Sequence, residues 1–216
     1  MYIEKFYSQL SDAEKSVAPK SLFYEGDFEL LLKSPKVAVV GSRDVTDLGI
    51  KRTQKIATEL VNRGITIVSG LASGVDTEAH KIGLKGKTIA VLGTPLSICN
   101  PVANKNLLDE IKLNHLAISQ FPEGSVVHAS NFPARNKTMA LISDATIIIE
   151  ASENSGTKHQ AWEAIRLGRQ VFIMENVLKA DVKWAAKALE YGGMVLTNEN
   201  FDFIFDSLIE FSLESL

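Results

Sequence analysis

From Val37 onward the chain repeats one alternation, a short aliphatic run followed by a longer amphipathic stretch. The aliphatic runs are KVAVVG (36–41), ITIVS (65–69), TIAVLG (88–93), LAISQF (116–121), TIIIE (146–150), QVFIM (170–174) and MVLT (194–197). They are nearly continuous in Val, Ile and Leu, as expected of parallel strands covered on both faces. Between them the spacing predicts helices over 48–62, 75–84, 105–113, 138–143, 160–167, 181–191 and 202–213, with Gly64, Gly168 and Gly192-Gly193 as stops. Strands alternating with helices call for right-handed crossovers, so the expected class is α/β: an open, doubly wound, mostly parallel sheet with helices on both faces. A length of 216 residues suits one such domain. Residues 1–34 read differently, as a short polar helix followed by PKSLFYEGDFELLL, which can add an edge strand before Pro35. They are taken as an extension packed on a core of residues 35–216.

The net charge of −3 does not advertise a polyanion partner; if one is bound, the cations must be gathered on one face. No run approaches the ~20 apolar residues of a membrane span, and MYIEKFYSQLSDAEK lacks the layout of a signal peptide. The expectation is a cytoplasmic protein with no membrane partner. Cys99 is alone and the four histidines (80, 115, 128, 159) are scattered, so neither a disulfide nor a metal or cofactor site is expected.

In an open parallel sheet, ligands bind beyond the carboxyl ends of the strands. Four features fall there. Gly41-Ser42-Arg43 combines close backbone approach, a hydroxyl donor and a planar cation suited to phosphate; its alternative is a plain turn whose arginine pairs with a carboxylate. SGLASGVDTEAH supplies Ser69, Gly70 and Gly74 to a loop, with Asp76 placed to accept from loop N–H groups. His80, one helical turn after Asp76, can share a hydrogen bond with it or be a structural histidine. In NFPARNKTMALIS, Arg135, Asn136 and Lys137 are read as opening a helix, where charge, donors and dipole together favour an anion, and Phe132 can stack on a base or fill the core. Ser155-Gly156-Thr157 before a helix is a further anion loop, with Lys158 beside it. The GxSxG, GxxxxGK[ST] and GxGxxG motifs are absent. No catalytic residue is assigned.

Taken in order, VAVVGSR, SGLASGVDTEAH, TIAVLGTPLSICNPVANKNLLDEI, FPARNKTMALIS and EASENSGTKHQAWEAIRLGRQVF resemble the DNA-processing protein A (DprA/Smf) family, over about Pro19 to Met174. The resemblance implies an extended Rossmann-like domain that binds single-stranded DNA without strong sequence preference, dimerises, and loads a RecA-type recombinase during DNA uptake. It implies no enzymatic activity. It places Gly41, Ser42 and Arg43 on the DNA backbone with Arg135, Asn136 and Lys137 beside them, and has Gly70, Gly74 and residues 155–157 shape the pocket. Lys137 stands where the family most often has a second arginine, Cys99-Asn100-Pro101 replaces an aromatic-proline turn, and Gln120 stands where Glu is common. ENVLKADVK replaces a proline-glycine segment, and neither the N-terminal helical domain nor the C-terminal winged helix of many members is read in this sequence.

Two other readings use the same core. The lysine-decarboxylase-like nucleotide phosphoribohydrolases carry a PGGxGTxxE loop; here the loop is ENSGTKHQ, without the double glycine or the close Glu, and Glu163 lies further along. A nucleotide sensor is the third reading. Lys85, Lys87 and Lys105, taken as flanking the pocket, suit a long backbone better than one small ligand.

Overall fold

The computed structural model describes residues 2–33 and 35–214. Its strands are β1 (Phe23–Gly26), β2 (Lys36–Val40), β3 (Thr66–Ser69), β4 (Thr88–Leu92), β5 (Leu116–Ser119), β6 (Ala145–Ile148), β7 (Gln170–Met174) and β8 (Met194–Leu196). The helices are α1 (Tyr2–Gln9), α2 (Asp12–Val17), α3 (Glu29–Leu32), α4 (Asp47–Asn62), α5 (Val75–Gly83), α6 (Lys105–Asn114), α7 (Asn131–Ile142), α8 (Thr157–Arg166), α9 (Glu175–Lys179), α10 (Lys183–Glu190) and α11 (Phe201–Glu214). The strands form one sheet in the order β1-β5-β4-β3-β2-β6-β7-β8. Every pairing is parallel except β1 with β5, where Phe23 opposes Ser119. The expected α/β class, a Rossmann-like doubly wound sheet, is the one observed.

Two chain directions produce the two covered faces. From β2 the chain steps outward through β3, β4 and β5, and α4, α5 and α6 bury the face carrying Val37, Val39, Ile67 and Ala90. It then returns to the other side of β2, and with the direction of winding reversed, α7, α8 and α10 cover the opposite face through Ala38, Val40, Val91 and Ile148. Within β2 all five residues are buried, which is why its sequence shows no polar alternation. Helix α11 returns to the first face, where Arg63, the residue that caps the end of α4, meets Asp202 at 2.6 Å and lies over the rings of Phe201 and Phe205.

All seven strands expected from Val37 on are present, several ending one or two residues early because Gly41, Gly93 and Phe121 turn out of the ladder to begin the loops beyond it. In the N-terminal extension two helices precede β1 where one was expected, and α3 follows it within the ELLL run. Ser11 and Glu14 form a reciprocal capping box that starts the second. Strand β1 joins the edge of the sheet, Phe6, Leu10, Leu30 and Leu31 enter the same core as α7, and Glu14 pairs with Arg169. The largest difference is α7, expected to begin at Arg135 and beginning at Asn131. Pro133 falls in its first turn, where a missing N–H breaks no helical hydrogen bond.

His80 does not reach Asp76. Its Nδ1 meets the Thr88 hydroxyl at 2.7 Å, and that hydroxyl donates to the Ile67 carbonyl. Burial pushes the imidazole down to about 3, so it is neutral in the folded protein. Its folded value lies below the ordinary 6.5, so its contribution to stability is complete above pH 6.5 and is lost as pH falls toward 3. Between about pH 7.5 and about pH 5 this group alone is expected to remove about 2 kcal/mol of unfolding free energy. His80→Gln, compared with the parent by urea unfolding at both pH values, should show a shallower acid dependence by about that amount; equal slopes would show that His80 is not held neutral.

Candidate nucleic-acid interface

Because the chain departs in opposite directions after β2 and β6, the loops beyond their carboxyl ends diverge and leave a crevice. It is a cleft of about 420 Å³ lined by residues 40–44 after β2, by Ala72 and Asp76, by the first two turns of α7, and by the segment from Ser152 to Gln160. A second cavity of about 70 Å³, floored by Gly93, Thr94 and Pro101, lies beside it; Arg43, Phe132, Ala72 and Arg135 line both.

The loop after β2 is held at its two ends. At the far end Thr46 caps α4 by accepting from Gly49 N–H at 3.0 Å. The Glu150 carboxylate, just past β6, accepts from Thr46 N–H at 3.0 Å and Thr46 Oγ1 at 2.6 Å. At the near end a side chain on Gly41 would meet Val75 Cγ2 at 2.6 Å and the Glu150 carbonyl at 2.9 Å, so this position tolerates glycine only. Between these anchors Arg43 is exposed, 5.7 Å from the centroid of the half-buried Phe132 ring, and among the described residues it has no carboxylate partner. Nothing at the level of sequence singled out Glu150; the only signal was an acid closing a buried aliphatic run.

The loop after β3 is organised from beneath. Asp76 Oδ2 accepts from Gly70 N–H at 3.1 Å and Ala72 N–H at 3.2 Å, the capping role its position suggested. Arg135 is a correction: it is not a cation opening a helix but a guanidinium in the second turn of α7, 5% exposed, donating to the Val91 carbonyl at 2.9 Å. A Cβ on Gly70 would fall inside that guanidinium. Burial raises the Asp76 carboxyl, with Arg135 the main opposing charge. Burial likewise lowers Arg135, opposed by Asp76 and reinforced by Arg43. Ser69 is also corrected: its hydroxyl is fully buried and donates to the Val39 carbonyl at 2.7 Å, away from the cleft. Gly74, at φ +75°, precedes α5 and faces the Ser42 and Arg43 carbonyls too closely for any side chain.

The loop after β6 supplies the other wall. Ser155 Oγ accepts from Thr157 N–H at 3.2 Å and donates to Thr157 Oγ1 at 2.7 Å, while Gly156 leaves the start of α8 open to the cleft. Asn136 and His159 line the cleft; Lys137 and Lys158, on the same helices, do not. Gln160, three residues beyond Thr157, is 1% exposed, and its amide donates to Thr146 Oγ1 at 3.2 Å. Lys105 pairs with Asp109, and Lys85 and Lys87 precede β4, at the opposite edge of the sheet; these three do not flank the cleft. No group of three or more His, Cys, Asp or Glu among the described residues could hold a metal ion, and no helix among them is long and apolar enough to cross a membrane.

The sheet and its switch-point crevice, with one arginine at the mouth and another buried in the wall, define a Rossmann-like α/β protein with a cation-lined cleft. The chain belongs to the DNA recombination-mediator protein A family, whose sequence profile matches residues 1–205. It is 45% identical over 157 residues to DNA processing protein DprA of Streptococcus pneumoniae, covering 72% of this chain and 55% of that protein. It is 40% identical over 190 residues to Protein Smf of Synechocystis, covering 84% and 47%. The chain thus spans about half the length of these relatives. Among solved structures, DprA from S. pneumoniae superposes with a TM-score of 0.77 at 38% identity, over 89% of this chain and 66% of that one. DNA processing protein A from Helicobacter pylori, whose structure concerns its single-stranded DNA binding mode, superposes at 0.81 and 29%, over 94% and 93%. A molybdenum cofactor binding protein from Rippkaea orientalis, 20% identical with a TM-score of 0.60 over 82% of this chain and 99% of that one, shares the fold alone.

The contact between Gly70 and Arg135 makes a specific prediction. Gly70→Ala, which displaces the guanidinium, and Arg135→Ala, which removes the cation opposing the buried Asp76 carboxylate, should each lower unfolding free energy by about 3–5 kcal/mol, the cost of leaving a buried charge uncompensated. Adding Gly70→Ala to Arg135→Ala should cost little more, because the clashing group is gone. Urea unfolding of the four proteins measures this; additive losses would show that Arg135 is not what excludes a side chain at position 70.

Proposed function

We propose that this chain binds single-stranded DNA without enzymatic activity, through the cleft at the switch point, with Arg43 on a backbone phosphate. The observation that carries this is the state of Arg43: an exposed cation with no carboxylate partner among the described residues, beside an aromatic ring and between two cavities. The guanidinium fork suits phosphate, and a base can stack on the Phe132 ring. Gly41, Ser42 and residues 155–157 supply backbone and hydroxyl donors around it. The H. pylori relative, described by its single-stranded DNA binding, supports the choice of ligand.

The phosphoribohydrolase reading is disfavoured by the cleft's own groups. Where the GTxxE loop has its acid, this chain has the buried amide of Gln160, bonded to Thr146. Asp76 is tied to two loop N–H groups. Incubation with AMP should therefore release no adenine; release would establish the enzyme instead. The family's description as a recombination mediator supports a RecA-type recombinase as the partner that receives the strand, and a homodimer is proposed as the working state on the family resemblance alone. Light scattering of the protein and a recombinase-assembly assay on coated strands test these two points.

Binding to an oligothymidylate should weaken with salt at a slope of about −0.7 per phosphate contacted. Arg43→Ala should lower affinity by about tenfold or more, as for loss of a charge-assisted hydrogen bond, and make the slope shallower by about 0.7. Its unfolding free energy should stay within about 0.5 kcal/mol of the parent. Unchanged DNA binding would overturn the assignment, and a collapse in stability would show Arg43 to be structural.

A further inference from the structure

Leu71 has a left-handed backbone, φ +59°, although its side chain is fully buried among Ala90, Leu92 and Leu108. Side chains of this kind rarely adopt that conformation, and it persists only where surrounding contacts impose it. The imposing contacts are few. Asp76 takes the N–H groups on either side of Leu71. The Leu71 carbonyl is taken by Asn104 Nδ2 at 2.9 Å. The second amide hydrogen of Asn104 goes to Thr77 Oγ1 at 2.8 Å, and that hydroxyl donates onward to the Ala72 carbonyl at 2.7 Å. One planar group with two donors thus fixes two successive carbonyls of the turn. Aspartate would set an acceptor against them, and alanine would leave the buried Leu71 carbonyl without a donor.

The turn is the seat of the loop after β2 that carries Arg43. Immediately beyond it Gly74 faces the Ser42 and Arg43 carbonyls, and Val75 N–H donates to the Ser42 carbonyl at 3.1 Å. Asn104 itself, 7% exposed where α6 begins, lines neither cavity. We propose that Asn104 is a positioning residue for strand binding: its carboxamide locks the left-handed Leu71 turn and thereby sets the Ser42–Arg43 peptide, without touching DNA. This rests on the reading of Arg43 as a phosphate contact.

The test is a double-mutant cycle on the full chain with a fluorescent oligothymidylate, using Asn104→Ala, Arg43→Ala and both together. Asn104→Ala should weaken binding by about tenfold and make the salt slope shallower by about 0.7. In the Arg43→Ala background it should change affinity by less than about twofold. Thr77→Val, which removes only the relay, should act in the same direction with a smaller effect, and replaces Asn104→Ala in the cycle if that variant does not fold. Parent-like binding by the Asn104 variant, or losses that multiply in the double variant, would overturn the proposal while leaving Arg43's role standing. Parent-like binding by Arg43→Ala would instead remove the reading on which it rests.

Discussion

The guanidinium of Arg135, enclosed by the Val91 carbonyl and the bare backbone of Gly70 with Asp76 as its counter-charge, is the constraint on which the carboxyl edge of this sheet depends. A buried cation must be met by a buried acceptor and a counter-charge, and each demand fixes something else. Asp76 supplies the counter-charge and, with the same carboxylate, holds the N–H groups of Gly70 and Ala72. Glycine is required at position 70 because the guanidinium occupies the space of its side chain. Such a pair adds little net stability and a great deal of geometry, since few loop conformations satisfy all its partners at once. The loop after β3 is therefore rigid where it supports Arg43.

The same arrangement sets the electrostatics of the cleft. The chain is acidic overall, yet Arg135 is buried in the cleft wall and Arg43 stands at its mouth, near enough that Arg43 is one of the charges lowering the Arg135 pKa. Two of the nearby carboxylates are engaged elsewhere, Glu150 with Thr46 and Asp76 with the loop beneath, while Asp44 also lines the cleft beside Arg43. An anion in the cleft would relieve the repulsion between the two arginines as well as gain the attraction of each. An acidic protein can in this way hold a polyanion through a local field.

Much of this was legible in the sequence because parallel strands leave an unambiguous trace. Runs such as VAVV and TIII are apolar at consecutive positions only when both faces are covered, and their order with the helices dictates the winding. Helix α7 was misread for the converse reason. It is buried on most sides, from Asn131 through Arg135 to Ile142, so it has no polar stripe to reveal its period, and Pro133 mimics a break. The cleft was legible as a set of loops but not as a set of roles. Arg43, Arg135 and Lys137 are alike as cations in a sequence. Only the fold separates the exposed one at the cleft mouth, the buried one in its wall, and the one outside its lining. Glu150 and Asn104 act through hydrogen bonds to backbone groups far away in sequence, which leave no local pattern.

A shared fold does not carry a shared function, and the crevice shows why. A doubly wound parallel sheet leaves a crevice at its switch point whatever ligand it takes, and this chain shares its fold with a molybdenum cofactor binding protein at 20% identity. What the cleft can do depends on whether its inner groups are free. Several here are committed: Thr157 to Ser155, Gln160 to Thr146, Asp76 to two amides, Arg135 to a carbonyl, while Asp44 and His159 also line the cleft. Groups so committed are held in place by the loops they brace. They can present fixed donors and a fixed charge to something that arrives already formed, which is what the proposed capture of a strand requires.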